Sequence, residues 1–151
     1  MSSAIRVALR VRPELESDAS LGEAGAKQSS VTIANGNTVT LHRHRENGIS
    51  DVAHQYTFDK VFEATSTQEE VYSTVRDLIA ESLRGYNVTI FAFGMTGSGK
   101  TFTIAGQSPP CPPSSAGIVP RAVHQVFSDL RAQASRNRES VAMVFLTFVE
   151  L

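Results

Sequence analysis

The stretch FAFGMTGSGKTFTIAG, residues 91–106, contains four glycines and places a lysine and a threonine directly after the third. Its central part follows the pattern G-x-x-x-x-G-K-[ST] of a phosphate-binding loop, or P-loop. Glycines let the backbone curl so that successive N–H groups point at one anion. Eight consecutive residues form the predicted loop: Gly94, Met95, Thr96, Gly97, Ser98, Gly99, Lys100 and Thr101.

Two side chains of this loop have the chemistry to bind a nucleoside triphosphate together with its metal ion. The Lys100 ammonium can extend across the β- and γ-phosphates as a point charge. The Thr101 hydroxyl can coordinate Mg²⁺, which takes most of its other ligands from water and phosphate. The loop therefore predicts a nucleotide site with Thr101 as the protein's magnesium ligand.

Three apolar segments predict strands and so indicate an α/β fold. VTIFAF, residues 88–93, is a continuous apolar run directly before the loop, which is typical of a strand buried on both faces of a parallel sheet. IRVALRV, residues 5–11, alternates as a half-buried strand does. VAMVFLTFVEL, residues 141–151, is predicted to be a further strand.

Turn and cap signals predict a hairpin and two helices. Residues 31–41 alternate on both sides of an Asn-Gly pair that favours a tight hairpin turn. A helix is predicted to follow Ser66, with Glu69 completing a capping box and Gly85 closing its end. A second helix is predicted over residues 119–133, after a proline-rich loop.

The composition excludes several classes of partner. The 151 residues carry 14 basic and 15 acidic side chains, a balance that gives no strong field for nucleic acid or an anionic membrane. No apolar run approaches the ~20 residues needed to cross a bilayer, so membrane insertion is not expected. A single cysteine, Cys111, is typical of a protein in a reducing compartment.

Six short segments in a fixed order closely resemble the kinesin motor domain, over nearly the whole chain from about residue 5 to residue 151. They are RVRP (10–13), FDKVF (58–62), QEEVY (68–72), GYNVTIFAFGMTGSGKTFTIAG (85–106), GIVPRA (117–122) and FVEL (148–151). The resemblance implies one motor domain over residues 1–151. It further implies an α/β P-loop NTPase fold with a kinesin-type central β-sheet flanked by helices.

The resemblance also implies cofactors, partners and further site residues. It implies ATP and Mg²⁺ as cofactors, microtubules as the partner of the parent motor domain, and a cytoplasmic location on the cytoskeleton. It places Arg10, Arg12 and Pro13 beside the adenine, where guanidinium planes and a proline ring can stack on a purine. Phe102 is a further candidate for the base side. Met95 departs from the glutamine that many kinesins carry.

Two elements of the family do not occur in this sequence. In kinesins, segments written SSR and DLAGSE position the attacking water and sense the γ-phosphate, and neither string is present. We therefore expect a truncated motor domain, about its first half, with no catalytic residue of its own. Two alternatives stay open: a non-motile fragment that binds nucleotide or tubulin without turnover, and a different P-loop NTPase.

Overall fold

The computed structural model describes residues 5–14, 31–43, 52–108, 112–136, 142–145 and 147. In these parts of the chain the strands are β1 Ala8–Arg10, β2 Val31–Ala34, β3 Thr38–Arg43, β4 Val52–Thr57 and β5 Lys60–Phe62. The helices are α1 Gln68–Ser73, α2 Arg76–Ser82, α3 Lys100–Ile104 and α4 Ile118–Arg136, with a 3₁₀ turn at Pro113–Ser115. The chain divides into two compact units, Met1–Ser66 and Thr67–Leu151.

The first unit contains two small sheets. Strands β2, β3 and β4 form an antiparallel sheet in chain order, and β1 pairs with β5 in parallel. The predicted hairpin is confirmed, because Asn35 and Gly36 both have positive φ, 55° and 67°, between β2 and β3. The turn also contacts the second sheet, since the Val61 N–H donates to the Gly36 carbonyl at 2.9 Å.

The first predicted strand is shorter than residues 5–11. Strand β1 covers only Ala8–Arg10 because its partner β5 is itself three residues long. Ile5, which the alternation placed on the buried face, is 87% exposed. The apolar core of this unit is formed instead by Val39, Val61 and Phe62.

The helix predicted to follow Ser66 is divided in two. Between α1 and α2 the N–H groups of Thr74 and Val75 donate three residues back, to Val71 and Tyr72, in the manner of a 3₁₀ turn. The Thr74 hydroxyl donates to the Val71 carbonyl at 2.8 Å, and Ser73 makes the equivalent bond one residue earlier. Such bonds compete with the regular helix ladder, which explains the interruption.

The predicted capping box is wrong by one residue. The N-cap of α1 is Thr67, whose side chain accepts from the Glu70 N–H, while the Glu70 carboxylate accepts from the Thr67 N–H at 2.6 Å. Because both hydroxyl residues are adjacent and both glutamates are adjacent, the sequence allows a box from Ser66 to Glu69 or one from Thr67 to Glu70. The observed frame places Gln68 at the first helical position, where its side chain is buried. Gly85 closes the helical region with a φ of 95°, as predicted.

The buried strand predicted over residues 88–93 is not formed. This segment has no regular secondary structure, and Phe91 and Phe93 are 80% and 94% exposed. A parallel strand exists only through hydrogen bonds to neighbouring strands, and none of the described strands pairs with this segment. Residues 142–145 and 147 are likewise not in a strand, and the rest of the strand predicted over 141–151 lies outside the described residues.

Helix α4 confirms the second predicted helix and is longer than expected. It begins at Ile118, which is buried, and continues to Arg136. Two apolar residues of this helix, Val123 and Phe127, remain exposed. In the described part of the chain, no helix is both long enough and apolar enough to cross a membrane.

Candidate phosphate-binding site

The predicted loop curls at glycines with backbone angles that other residues rarely adopt. Gly94, Gly97 and Gly99 have φ values of 154°, 78° and 95°. At Gly94 space is limiting as well, because an added Cβ would lie 2.6 Å from the Ser98 hydroxyl oxygen. The loop ends at Gly99, which is the N-cap of α3, so that Lys100 is the first helical residue. The sequence-predicted curl is therefore present.

The Lys100 side chain folds back across the loop. Its Nζ donates to the carbonyl of Gly94 at 2.9 Å and to that of Met95 at 2.8 Å. Among the described residues no carboxylate lies within ion-pair distance of this ammonium, so its positive charge is not neutralised there. Within the described parts of the chain, the loop thus holds a cation that is bonded to two of its own carbonyls and has no carboxylate partner.

The Thr101 hydroxyl fits a magnesium ion only as a single ligand. Thr101 is exposed in the first turn of α3, next to Lys100. No cluster of three His, Cys, Asp or Glu side chains that could hold a metal occurs in the described parts of the chain. Mg²⁺ usually retains several water ligands and binds to few protein ligands together with substrate phosphates. A single hydroxyl ligand is compatible with this coordination.

The four predicted adenine-side residues do not belong to one unit. Arg10, Arg12 and Pro13 are part of the first unit, whereas Phe102 belongs to the second and is 43% exposed. The Arg10 guanidinium donates to the Ser66 carbonyl at 3.3 Å, and its partial burial lowers the pKa of the group below the ordinary value. The structure therefore gives Arg10 a backbone partner, and its contact with adenine stays a prediction.

Sequence reasoning missed a polar network between α1 and α4. Glu69, predicted to cap a helix, instead forms ion pairs with Arg76 and Arg121. Arg121 also donates to the Ala116 carbonyl at 2.8 Å, and the Tyr72 hydroxyl donates to Gln125. The pairs that join α1 to α4 are about fifty residues apart in the chain, so no local pattern could have predicted them.

A cleft of about 660 Å³ lies along this network. Its lining includes Tyr72, Arg76, Pro120 and His124, and it includes no residue of the phosphate loop. Burial raises the pKa of the Tyr72 hydroxyl, with the nearby Arg76 guanidinium acting in the opposite direction. The cleft is therefore a feature separate from the loop.

Gln68 was also missed as part of the loop's surroundings. Its side-chain amide donates to the carbonyl of Phe102 at 2.6 Å, in the helix that begins at the loop. A glutamine at the start of an amphipathic helix is ordinarily exposed. The motif QEEVY marked the position, but nothing in the sequence indicated that this side chain is buried.

The loop, its lysine and the helix that begins at Lys100 define a protein with a P-loop of the G-x-x-x-x-G-K-[ST] pattern. A profile of the kinesin motor domain matches residues 10–151. The chain is 38% identical over 143 residues to the kinesin-like protein KIN-14D of Arabidopsis thaliana, and 36% identical over 148 residues to the protein claret segregational of Drosophila melanogaster. The chain therefore belongs to the kinesin motor domain family.

A solved structure agrees with this assignment. The structure of a fast kinesin, which bears on that protein's ATPase mechanism and interactions with microtubules, matches with a TM-score of 0.72 at 31% identity. The predicted fold class is confirmed by this match.

The matches cover most of this chain and a minor part of its relatives. They span 93% of this chain and 17% of the Arabidopsis protein, and 97% of this chain and 19% of the Drosophila protein. For the fast kinesin the shares are 85% of this chain and 34% of that structure. The chain thus corresponds to about a third of the matched motor structure.

Proposed function

We propose that this chain is the ATP-binding part of a kinesin-type microtubule motor. The observation that carries the proposal is the Lys100 ammonium, which lies across the curled loop without a carboxylate partner in the described structure. A fixed, unneutralised cation beside backbone N–H groups is the arrangement that binds a polyphosphate. The kinesin family membership favours ATP as the nucleotide.

Each group of the loop would have a separate task. Backbone N–H groups of the loop would donate to the phosphate oxygens, apart from that of Ser98, which donates to the Met95 carbonyl at 3.2 Å. Lys100 would neutralise negative charge on the β- and γ-phosphates. Thr101 would supply one oxygen to Mg²⁺, which when bound would offset the negative charge of the phosphates. Arg10, Arg12, Pro13 and Phe102 are proposed for the adenine side.

In the complete parent motor, ATP hydrolysis would drive movement along microtubules in the cytoplasm. The fast kinesin, a relative by both fold and sequence, is a protein whose structure bears on ATPase mechanism and on microtubule interactions. The microtubule partner and the cytoskeletal location are proposed for this protein on the strength of that family relationship.

Competition binding tests the nucleotide proposal. A fluorescent N-methylanthraniloyl ATP derivative is titrated with the 151-residue chain in the presence of Mg²⁺, and is then displaced with ATP or with adenosine. We expect ATP to displace the probe and adenosine to be much weaker, because the predicted affinity resides in the phosphates. Equal displacement of the probe by ATP and by adenosine would show that the loop does not bind phosphate.

A second candidate function is nucleotide or tubulin binding without turnover. The observation that favours it is the exposure of Phe91 and Phe93 in the segment directly before the loop. A loop whose preceding segment is not held in a sheet is poorly fixed for catalysis, although it can still bind phosphate. Measuring ATP hydrolysis with and without microtubules distinguishes this candidate from an active motor.

A further inference from the structure

Gln68, the first residue of α1, is buried, and its side-chain amide contacts two carbonyls that are distant in the chain. It is 4% exposed, although glutamine is one of the residue types found mostly on protein surfaces. Its Nε2 donates to the Phe102 carbonyl at 2.6 Å and reaches the Ser115 carbonyl at 3.5 Å. Burying an amide is unfavourable unless it is hydrogen-bonded, so these contacts are what allows Gln68 to be buried.

The Phe102 carbonyl lies in the short helix α3, near its end. The last carbonyls of a helix lack the usual donor four residues ahead. For Phe102 that donor would be the Gly106 N–H, which instead donates to Thr101 at 3.3 Å. The Gln68 amide gives this carbonyl a side-chain donor from outside the helix. A helix of only five residues is marginal by itself and depends on such contacts.

Helix α1 is itself fixed, so Gln68 is presented from a firm support. The Tyr72 hydroxyl donates to Gln125, and Glu69 pairs with Arg121, which ties α1 to α4 at two points. The capping box at Thr67 orders the backbone directly before Gln68. The amide consequently has little freedom to follow a displaced α3.

We infer that Gln68 is a positioning residue for the phosphate loop. By holding the end of α3, it fixes a helix whose first two residues are Lys100 and Thr101. Gln68 would touch neither phosphate nor metal and would act through the placement of those two side chains. The inference rests on the proposed nucleotide site and names a residue outside the loop on which that site depends. Small displacements of binding groups are known to have large effects.

Two substitutions remove the amide donor in different ways. Gln68→Leu replaces it with an apolar group of similar size. Gln68→Glu keeps the length and shape of the side chain and places an acid in the first turn of α1, where the helix dipole favours negative charge. Ser73→Ala is the matched control, because the Ser73 hydroxyl contact it removes lies within the same helix, on the Glu70 carbonyl, and is separate from the contacts that tie α1 to α4.

The test combines nucleotide affinity with local exchange, on the 151-residue chain. The affinity for N-methylanthraniloyl ATP with Mg²⁺ is measured for each variant, and amide hydrogen exchange is followed at Thr103 and Ala105, whose N–H groups form the ladder of α3. We expect both Gln68 variants to bind about five- to ten-fold more weakly and to exchange faster at α3. Ser73→Ala should leave both quantities close to those of the wild type.

Every other result decides against the inference or against the proposed site. Wild-type affinity in either Gln68 variant would overturn the positioning role, as would an equal loss in Ser73→Ala. If the wild-type chain itself does not bind the probe, the proposed nucleotide site is wrong. The exchange data then decide the inference alone: faster exchange at α3 in the Gln68 variants only supports it, and unchanged exchange overturns it.

Discussion

Lys100 donates to two carbonyls of its own loop, so its side chain stabilises the loop conformation as well as supplying a positive charge. We expect Lys100→Ala to weaken ATP binding by about 1.5–3 kcal/mol, the range for hydrogen bonds to charged groups. Isothermal titration with ATP and Mg²⁺ measures the effect. Lys60→Ala, which removes an ammonium from β5, is the control. An unchanged affinity of Lys100→Ala for ATP would show that Lys100 does not bind the phosphates.

Thr101 is expected to act through the metal and not through phosphate directly. Thr101→Ala should therefore weaken ATP binding in Mg²⁺ and have little further effect in EDTA, because the lost oxygen is a metal ligand. Thr101→Ser retains the hydroxyl and should bind as the wild type does. The magnesium assignment is wrong if the alanine variant shows the same defect with and without the metal.

Arg10 has two competing assignments that nucleotide choice can separate. The resemblance places it beside adenine, while the structure shows its guanidinium on the Ser66 carbonyl. If it stacks on the base, Arg10→Ala should reduce the affinities for ATP and GTP by different factors, since stacking and edge contacts depend on the purine. Arg6→Ala, an exposed arginine before β1, is the control. Proportional losses for both nucleotides would assign Arg10 to phosphate binding or to packing and not to the base.

The residues of the loop could be predicted because their signal is local. The backbone of the loop takes positive φ at three glycines, and their spacing is visible within one short segment: Gly94, Gly97 and Gly99. Lys100 follows directly in the same segment. Gln68 could not be predicted in the same way. Its partner, the Phe102 carbonyl, is thirty-four residues away, and a backbone carbonyl leaves no mark in the sequence.

At the scale of elements, the same distinction separates the confirmed predictions from the wrong ones. The hairpin at Asn35 and Gly36 formed because two adjacent residues determine its turn. The strand predicted over residues 88–93 did not form because pairing comes from elsewhere in the chain, and apolar character alone does not supply it. The N-cap of α1 is an intermediate case. A hydroxyl residue and a glutamate do form the capping box, as predicted, but they are Thr67 and Glu70 and not Ser66 and Glu69.

The capping frame of α1 gives a direct prediction. Thr67→Ala should lower the stability of α1 by about 1 kcal/mol, because the hydroxyl accepts from the Glu70 N–H. Amide hydrogen exchange over α1 should then become roughly five-fold faster. Ser66→Ala should have no such effect, since the Ser66 contact with Arg10 uses its backbone carbonyl. Faster exchange over α1 in Ser66→Ala, with no change in Thr67→Ala, would instead identify Ser66 as the N-cap.

At the scale of the whole molecule, the apolar surface is the feature that the fold leaves unexplained. Phe91 and Phe93 are exposed directly before the loop, and Met95 is exposed within it. Met143 and Phe145 are exposed further along the chain. The chain spans 34% of the matched fast kinesin structure. We therefore hypothesise that the remaining two thirds of such a motor domain supply the partners for these segments.

The last prediction is that residues 1–151 alone neither hydrolyse ATP at a motor-like rate nor remain monomeric at high concentration. Hydrolysis needs a group that positions the attacking water, and the two kinesin elements expected to do so are absent from this sequence. Exposed segments such as 88–93, rich in β-forming residues and without charge, favour association between chains. Size-exclusion chromatography at several concentrations, with an ATPase assay with and without microtubules, measures both properties. A monomeric chain with microtubule-stimulated turnover would falsify the prediction and require a water-positioning group among residues 1–151.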